Sequence, residues 1–159
     1  MKKREKLVVG WREWASLDDL GIKKIKVKVD TGARTSALHA SHLKITKKGS
    51  KEFVEFDINP LQDKGRMIHC KAPLLGRKNV KSSNGESSIR PVIATHINVG
   101  AYSWPIEVTL VNRDIMGFRM LLGRQALRGN FLVDPGKSYV LGSGTMKKVK
   151  SVIQLKKRP

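Results

Sequence analysis

The clearest pattern along the chain is a mixture of apolar and basic residues over residues 22–29, which alternates strictly from Ile25 to Val29. Ile25, Val27 and Val29 are separated by single lysines, so an extended backbone would place the apolar side chains on one face and the lysines on the other. The pattern predicts a β-strand that packs one face against a core. This strand runs directly into Asp30-Thr31-Gly32, where glycine allows a tight turn.

Other short segments are rich in β-branched residues and are bounded by turn signals such as Asn84-Gly85. They predict strands over residues 43–46, 53–58, 67–70, 89–99, 103–111, 131–133 and 138–141. Residues 7–14 are compatible with a further strand and residues 16–21 with a short helical turn or a loop, while residues 124–128 form the one predicted helix. Many short strands joined by Gly-rich turns are typical of an all-β sandwich or barrel.

The composition fits a single globular domain, because 40% of the 159 residues are apolar. No apolar run approaches the roughly 18 residues that span a bilayer, and the stretch after Met1-Lys2-Lys3-Arg4 is too short for a secretion signal. Cys70 is the only cysteine, which excludes an internal disulfide and fits a reducing compartment. We therefore expect an unprocessed cytoplasmic protein.

The net charge changes this ordinary picture. The chain has 32 Lys and Arg against 13 Asp and Glu, a formal charge of +19. Such a field attracts anions, so nucleic acid, an anionic membrane surface and an acidic polypeptide are candidate partners, with a solvated basic surface as the alternative. The sequence has no recognisable nucleic-acid motif, and charge alone supports only nonspecific, salt-sensitive binding.

Three elements carry the candidate chemistry. The first is Asp30-Thr31-Gly32-Ala33, a carboxylate at the end of an apolar strand. The second is the turn Ser82-Ser83-Asn84-Gly85-Glu86, and the third is Leu121-Leu122-Gly123-Arg124, which leads into the predicted helix. In this order they resemble retropepsins, the aspartic peptidases of retroviral type. There the apolar pair and glycine pack beside the catalytic turn, and the middle hairpin is a flap that closes over the substrate.

The sequence resembles in particular one bacterial and archaeal retropepsin-like family, long labelled ATP-dependent zinc protease and often encoded beside ATP-grasp glutamate ligases of the RimK type. The resemblance covers residues 7–141 and is carried by residues 9–14, 29–39, 90–93, 112–114, 120–127 and 131–135. The label does not follow from the sequence, which has no His-Glu-x-x-His motif, Cys pair or Gly-rich phosphate loop. His39, His42 and His69 fit surface or core positions, and we expect no zinc, ATP or other cofactor.

The resemblance implies a closed retropepsin-like β-barrel, one lobe of the acid-protease fold. We assign residues 1–142 to this domain and residues 143–159, which lie outside the resemblance, to a basic tail. Aspartic peptidases activate water between two carboxylates that share a proton. One Asp-Thr-Gly supplies one carboxylate, so two copies of Asp30 would have to meet in a homodimer. Thr31 and Gly32 would complete the catalytic turn. Ala33, Arg34, Ser83, Asn84, Gly85 and Arg124 are the candidate substrate-binding residues.

Two features depart from retroviral enzymes. Arg34 stands where those enzymes usually carry an acid that pairs with the arginine after the helix glycine, here Arg124. The two arginines would need other partners, and the candidates are Glu13, Asp18, Asp114 or an acidic substrate. Residues 40–75 form a longer segment than compact retropepsins have, which is either a packed extra hairpin or a part that shapes substrate access.

The leading hypothesis is a homodimeric aspartic endopeptidase that hydrolyses peptide bonds. Acidic or glutamylated polypeptides are candidate substrates, a RimK-type glutamate ligase is a candidate partner, and no membrane partner is expected. One alternative is a non-catalytic retropepsin-like module that regulates an ATP-grasp glutamate ligase. The other is a nonspecific nucleic-acid-binding protein.

Overall fold

The computed structural model describes residues 5–61, 66–81, 84–112 and 117–142, together with a two-residue strand at 151–152. Strands dominate it: β1 (Leu7–Gly10), β2 (Arg12–Leu17), β3 (Ile22–Asp30), β4 (Ser36–His39), β5 (Ser41–Lys48), β6 (Lys51–Ile58), β7 (Ile68–Pro73), β8 (Gly76–Lys81), β9 (Ser87–Val99), β10 (Tyr102–Val111), β11 (Met120–Gly123), β12 (Phe131–Asp134) and β13 (Ser151–Val152). A 3-10 helix at Asp18–Leu20 and the α-helix α1 (Arg124–Leu127) are the helical elements of the described ranges. The predicted all-β class is confirmed.

Six strands form a closed circuit of pairings. β3 lies between β2 and β11, β11 pairs with β4, β4 with β10, β10 with β9, and β9 returns to β2. The return from β9 to β2 is made at Ser16 and Asn98, whose side chains also hydrogen-bond at 3.1 Å. This closure is the arrangement expected of a barrel. β1 and β12 form a separate parallel ribbon.

The core follows from the alternation along β3. Ile25 and Val27 are fully buried while Lys26 between them lies on the outer face, as the sequence pattern predicts. Trp104 on β10 is the largest buried side chain; its indole N–H donates to the Ala126 carbonyl at 3.0 Å, and its ring lies 4.6 Å from that of Phe131. This contact fixes α1 and β12 against the barrel.

The long middle segment is a packed sheet. β5, β6 and β7 pair in sequence as a three-stranded antiparallel sheet. Its inner face contributes Val54, Phe56 and Ile58 to the main core, along with Cys70, whose thiol donates to the Leu20 carbonyl at 3.4 Å. Burial raises the pKa of the Cys70 thiol to about 11. The described strands of the 40–75 segment therefore pack against the core.

One predicted strand is wrong. Residues 138–141 form bends, and Tyr139 has a left-handed backbone with φ of 55°. The reason is Glu13, which is 2% exposed and whose carboxylate accepts four backbone N–H groups. The donors are Gly10 at 2.7 Å, Val140 at 2.9 Å, Leu141 at 3.0 Å and Gly142 at 2.7 Å. These N–H groups are thus turned toward one side chain and cannot pair with a neighbouring strand.

Other boundaries differ less. Residues 7–14 divide into β1 and β2 at Trp11, because the Trp11 N–H donates to the Lys137 carbonyl and its own carbonyl accepts from Val29. The helix ends at Leu127, one residue earlier than predicted, and β4 and β8 were not predicted as separate strands. Across the described ranges, no helix is both long and apolar enough to cross a bilayer.

Candidate active site at the Asp30 turn

The Asp30 turn lies where two parallel strands end together. β3 and β11 are in register so that Gly123 is paired with Asp30 and Leu122 with Val29, as the resemblance predicts. Beyond the strands, the Arg124 N–H donates to the Ala33 carbonyl at 2.8 Å. A Cβ on Gly123 would lie 2.6 Å from the Thr35 carbonyl, so only glycine allows the backbones to approach this closely.

The turn holds one oxygen of Asp30 and leaves the other available. Asp30 Oδ1 accepts the N–H groups of Gly32 at 3.0 Å and Ala33 at 3.2 Å. In the part of the chain that the structure describes, no hydrogen bond to Oδ2 is recorded. Thr31 and Gly32 are exposed. The carboxylate therefore has a fixed orientation and one oxygen that can contact a water molecule or a second carboxylate.

Arg124 binds the backbone of the turn. Its Nη1 donates to the Gly32 carbonyl at 3.1 Å and to the Thr31 carbonyl at 3.5 Å. Two of the expected carboxylate partners are engaged elsewhere, since Glu13 binds four backbone N–H groups and Asp18 accepts from Asn98 at 2.6 Å. Asp114 lies outside the described residues. Arg124 thus stabilises the turn directly, without the acid that retroviral enzymes place after the motif.

Arg34 is exposed beside this turn, and its carbonyl accepts the Gln125 N–H at 3.2 Å. The backbone of Arg34 is therefore tied to α1. Ala33 is half-buried and packs on a small cluster of Ala37, Val111 and Leu121 beneath the turn. The structure brings Asp30, Thr31, Gly32, Ala33, Arg34 and Arg124 together in one place.

Ser36 and Thr109 support the turn from below, and the sequence alone did not indicate them. Ser36 Oγ accepts the Gly123 N–H at 3.1 Å, and the Thr109 hydroxyl donates to the Ser36 carbonyl at 3.0 Å. Both residues are almost fully buried. Their signal in the sequence is weak, because a single hydroxyl within an apolar strand segment does not reveal its partner.

The predicted flap turn does join a hairpin. β8 and β9 pair from Gly76–Val92 to Lys81–Ser87, whereas β9 pairs with β10 only from Val92 onward. Residues 87–91 therefore extend beyond the barrel in a two-stranded ribbon. At its turn, Asn84 Oδ1 accepts the Glu86 N–H at 3.2 Å and Gly85 has φ of 88°. Ser83 lies outside the described residues.

This ribbon exposes an apolar side chain. Ile89 is 73% exposed, the highest value among the exposed large apolar side chains of the described chain. Exposed apolar side chains on a protruding hairpin are candidates for contact with a ligand or partner.

A sequence model of the RimB-like family, described as retropepsin-like aspartic endopeptidase RimB, matches residues 8–143. The chain belongs to this family. The match includes the Asp30 turn, the β8–β9 hairpin and the segment from Leu121 to Arg124, so all three elements that suggested a retropepsin lie within the RimB-like region.

Similar proteins include two named "Probable alpha-L-glutamate ligase", from Shewanella pealeana at 45% identity and Shewanella halifaxensis at 44%. Each match covers 86% of this chain but 30% of the relative, so the chain spans less than a third of these proteins. A crystal structure of a Legionella pneumophila protein of unknown function has a TM-score of 0.73 at 26% identity, covering 86% of this chain and 99% of that one.

A second titratable cluster lies on the outer face of the β5–β7 sheet. Asp57 accepts from His42 Nδ1 at 2.9 Å and from His69 Nδ1 at 2.8 Å, and His69 Nε2 lies 3.2 Å from Glu55. The bond to His69 lowers the pKa of Asp57, and the same bond raises the pKa of His69. Among the described residues, no three His, Cys, Asp or Glu are arranged to hold a metal ion.

Proposed function

We propose that this chain is an aspartic peptidase whose active site forms from the Asp30 turns of two copies. The observation that carries the proposal is the geometry of the carboxylate. Asp30 Oδ1 is held by two backbone N–H groups of its own turn, on a strand end braced by Gly123 and Arg124. One fixed and one available oxygen is what a shared-proton carboxylate pair requires.

The reaction would follow the chemistry of such a pair. One Asp30 carboxylate accepts a proton from water, which attacks the scissile carbonyl, while its protonated counterpart donates a hydrogen bond to the carbonyl oxygen. The proton taken from water then passes from that Asp30 to the leaving amine as the C–N bond breaks. Arg124 holds the turn in position, and the β8–β9 hairpin with Ile89 supplies a flap over the substrate.

Acidic or glutamylated polypeptides are the proposed substrates. The formal charge of +19 concentrates polyanionic chains near the protein. Arg34 and Arg124 add two cations at the turn itself. The names of the similar ligases concern glutamate, which is consistent with a substrate that carries added glutamates.

The test compares wild type with Asp30→Asn on a glutamate-rich peptide and a neutral peptide of the same length. Asp30→Asn should abolish hydrolysis, because it removes the carboxylate from both halves of the site at once. Sedimentation velocity should show a dimer for both proteins, which separates loss of chemistry from loss of assembly. Retained hydrolysis in Asp30→Asn would refute the assignment. Chelator should leave wild-type turnover unchanged, and loss that zinc restores would show a metal-dependent reaction instead.

A second candidate is a non-catalytic module that regulates a glutamate ligase. It is favoured by the 30% coverage of the relatives, since in those proteins a segment like this chain is part of a longer one named as a ligase. The Asp30→Asn variant distinguishes the peptidase from the regulatory module. If Asp30→Asn alters the product length of an added glutamate ligase as strongly as wild type does, then the carboxylate is not needed and the regulatory role is supported.

A further inference from the structure

A stack of aromatic rings and cations lies on the outer face of β2 and β3, outside the Asp30 turn. Its members, here called the cation–aromatic stack, are Trp11, Arg12, Tyr139, Trp14, Lys24 and Lys26. The Arg12 guanidinium lies 4.6 Å from the Trp11 ring and 4.9 Å from the Tyr139 ring. Tyr139 stacks on Trp14 at 6.0 Å, and the ammonium groups of Lys24 and Lys26 lie 4.5 and 5.2 Å from the Trp14 ring.

The stack is continuous with the proposed active site. Strand alternation puts Asp30, Lys28, Lys26 and Lys24 on one face of β3, each separated from the next by about 7 Å. Trp14 is paired with Lys26 and Arg12 with Lys28, so β2 places its members on that same face. A chain bound along this face would reach the Asp30 turn at one end.

The cations of the stack are held in place but keep their charge available. The contact with an aromatic ring restricts a lysine or arginine without neutralising it. Within the described residues, no carboxylate is recorded in an ion pair with Arg12, Lys24 or Lys26. The neighbouring Glu13 points the other way, into the interior, where it binds backbone N–H groups.

These features favour carboxylates over nucleobases as the ligand. Single-stranded nucleic acid binds through bases that stack on open aromatic faces. Here Trp14 and Tyr139 already stack on one another, and cations lie over both rings. An extended peptide instead presents every second side chain at about the spacing of Lys24 and Lys26. Its carboxylates would match the fixed ammonium groups.

We propose that the cation–aromatic stack is a docking surface for an acidic segment of an extended polypeptide, which it holds beside the Asp30 turn. The inference rests on the proposed function only in taking this polypeptide as the substrate. Binding can therefore be measured in the Asp30→Asn background, where a failure of catalysis does not affect the result.

The experiment measures fluorescence anisotropy of a labelled octaglutamate with full-length Asp30→Asn protein. Adding Lys24→Gln and Lys26→Gln should weaken binding by about 2- to 30-fold, from two exposed charge pairs of typical strength. The matched control is Lys47→Gln with Lys48→Gln, which removes the same charge from exposed positions on β5. The control should change the affinity less than about twofold, the size expected of a general field effect.

Several outcomes would overturn the proposal. Equal weakening by both variant pairs would mean that only net charge attracts the peptide, and no measurable octaglutamate binding would mean that there is no such surface. Tighter binding of a thymidine octanucleotide, lost in the Lys24 and Lys26 variant, would identify a nucleic-acid surface. A change in the sedimentation of that variant from dimer to monomer would identify a contact between copies of the chain.

Discussion

Replacing Glu13 with glutamine should destabilise the fold more than any other isosteric change near the site. The carboxylate is 2% exposed and accepts four backbone N–H groups, two at each oxygen. Glutamine keeps one acceptor oxygen and turns the other position into an NH2 donor. Two N–H groups, one buried and one part-buried, then lose their acceptor and face another donor.

The magnitude follows from those bonds. Leaving a buried donor unpaired costs about 1–3 kcal/mol, so two donors cost about 2–6 kcal/mol. The two remaining bonds become neutral and lose about 1 kcal/mol each of charge assistance. Because partial relaxation offsets some of this loss, we expect Glu13→Gln to lower the free energy of unfolding by about 3–6 kcal/mol. That is a large part of the roughly 5–15 kcal/mol of a typical domain.

Urea unfolding followed by tryptophan fluorescence measures this change, and thermal unfolding should show a midpoint about 10–20 °C lower. Glu5→Gln is the matched control, since Glu5 is exposed and the same substitution there should leave the midpoint unchanged. A free energy of unfolding within about 1 kcal/mol of wild type would refute the assignment of Glu13 as the residue that holds the 140–142 segment.

Three further predictions concern other described contacts. Arg124→Lys keeps the charge but not the planar fork, so the Gly32 amide should exchange faster with solvent and the proposed hydrolysis should slow roughly tenfold in kcat; unchanged exchange would contradict the bracing role. The pKa of His69 is raised above its usual 6.5, so its ion pair stabilises the fold below that pH and is lost as pH rises through the raised pKa. The pKa of Asp57 is lowered, so its contribution to the stability of the fold is present above the usual Asp pKa of 3.8. That contribution is lost as the pH falls through the lowered pKa. An NMR titration should show the His69 pKa falling toward 6.5 in Asp57→Asn, and an unchanged value would count against the pair. Cys70, with a pKa of about 11, should react with iodoacetamide at pH 8 on the order of 100-fold more slowly than a free thiol, whereas rapid labelling in mass spectrometry would contradict its burial.

Secondary structure was predicted most accurately for strands whose burial pattern is visible in their own residues. β3 was predicted almost to its ends, because alternation of buried and exposed side chains along a single strand is visible without knowing its neighbours. β4 was missed, since its first three residues are all buried by strands on both sides and no alternation remains. Residues 138–141 were predicted as a strand because their own propensity cannot show that Glu13, more than 120 positions earlier, captures their N–H groups.

The contacts of the candidate site also divide into those that the motifs predicted and those that only the fold shows. The resemblance predicted that Asp30 and Gly123 would be neighbours, because both belong to motifs with a fixed order. It did not predict that Arg124 would donate to the turn carbonyls or that Ser36 would accept from Gly123. Likewise, the bonds between Asp57 and His69 depend on the pairing of β6 with β7, which only the fold establishes.

Segment 138–142 links the stability of the fold to the proposed docking surface through three consecutive residues of β2. Glu13 points inward and holds the backbone of Val140, Leu141 and Gly142, while its neighbours on the opposite face, Arg12 and Trp14, hold the ring of Tyr139. Alternation along a strand thus gives the interior face a structural role and the outer face a binding role. The Tyr139 ring lies between the Arg12 guanidinium and the Trp14 ring, which carries the lysines of the stack. Any change that releases segment 138–142 should therefore also separate Arg12 from Trp14. Loss of Glu13 would therefore weaken acidic-peptide binding even at temperatures where the variant remains folded, although Glu13 itself never contacts the ligand.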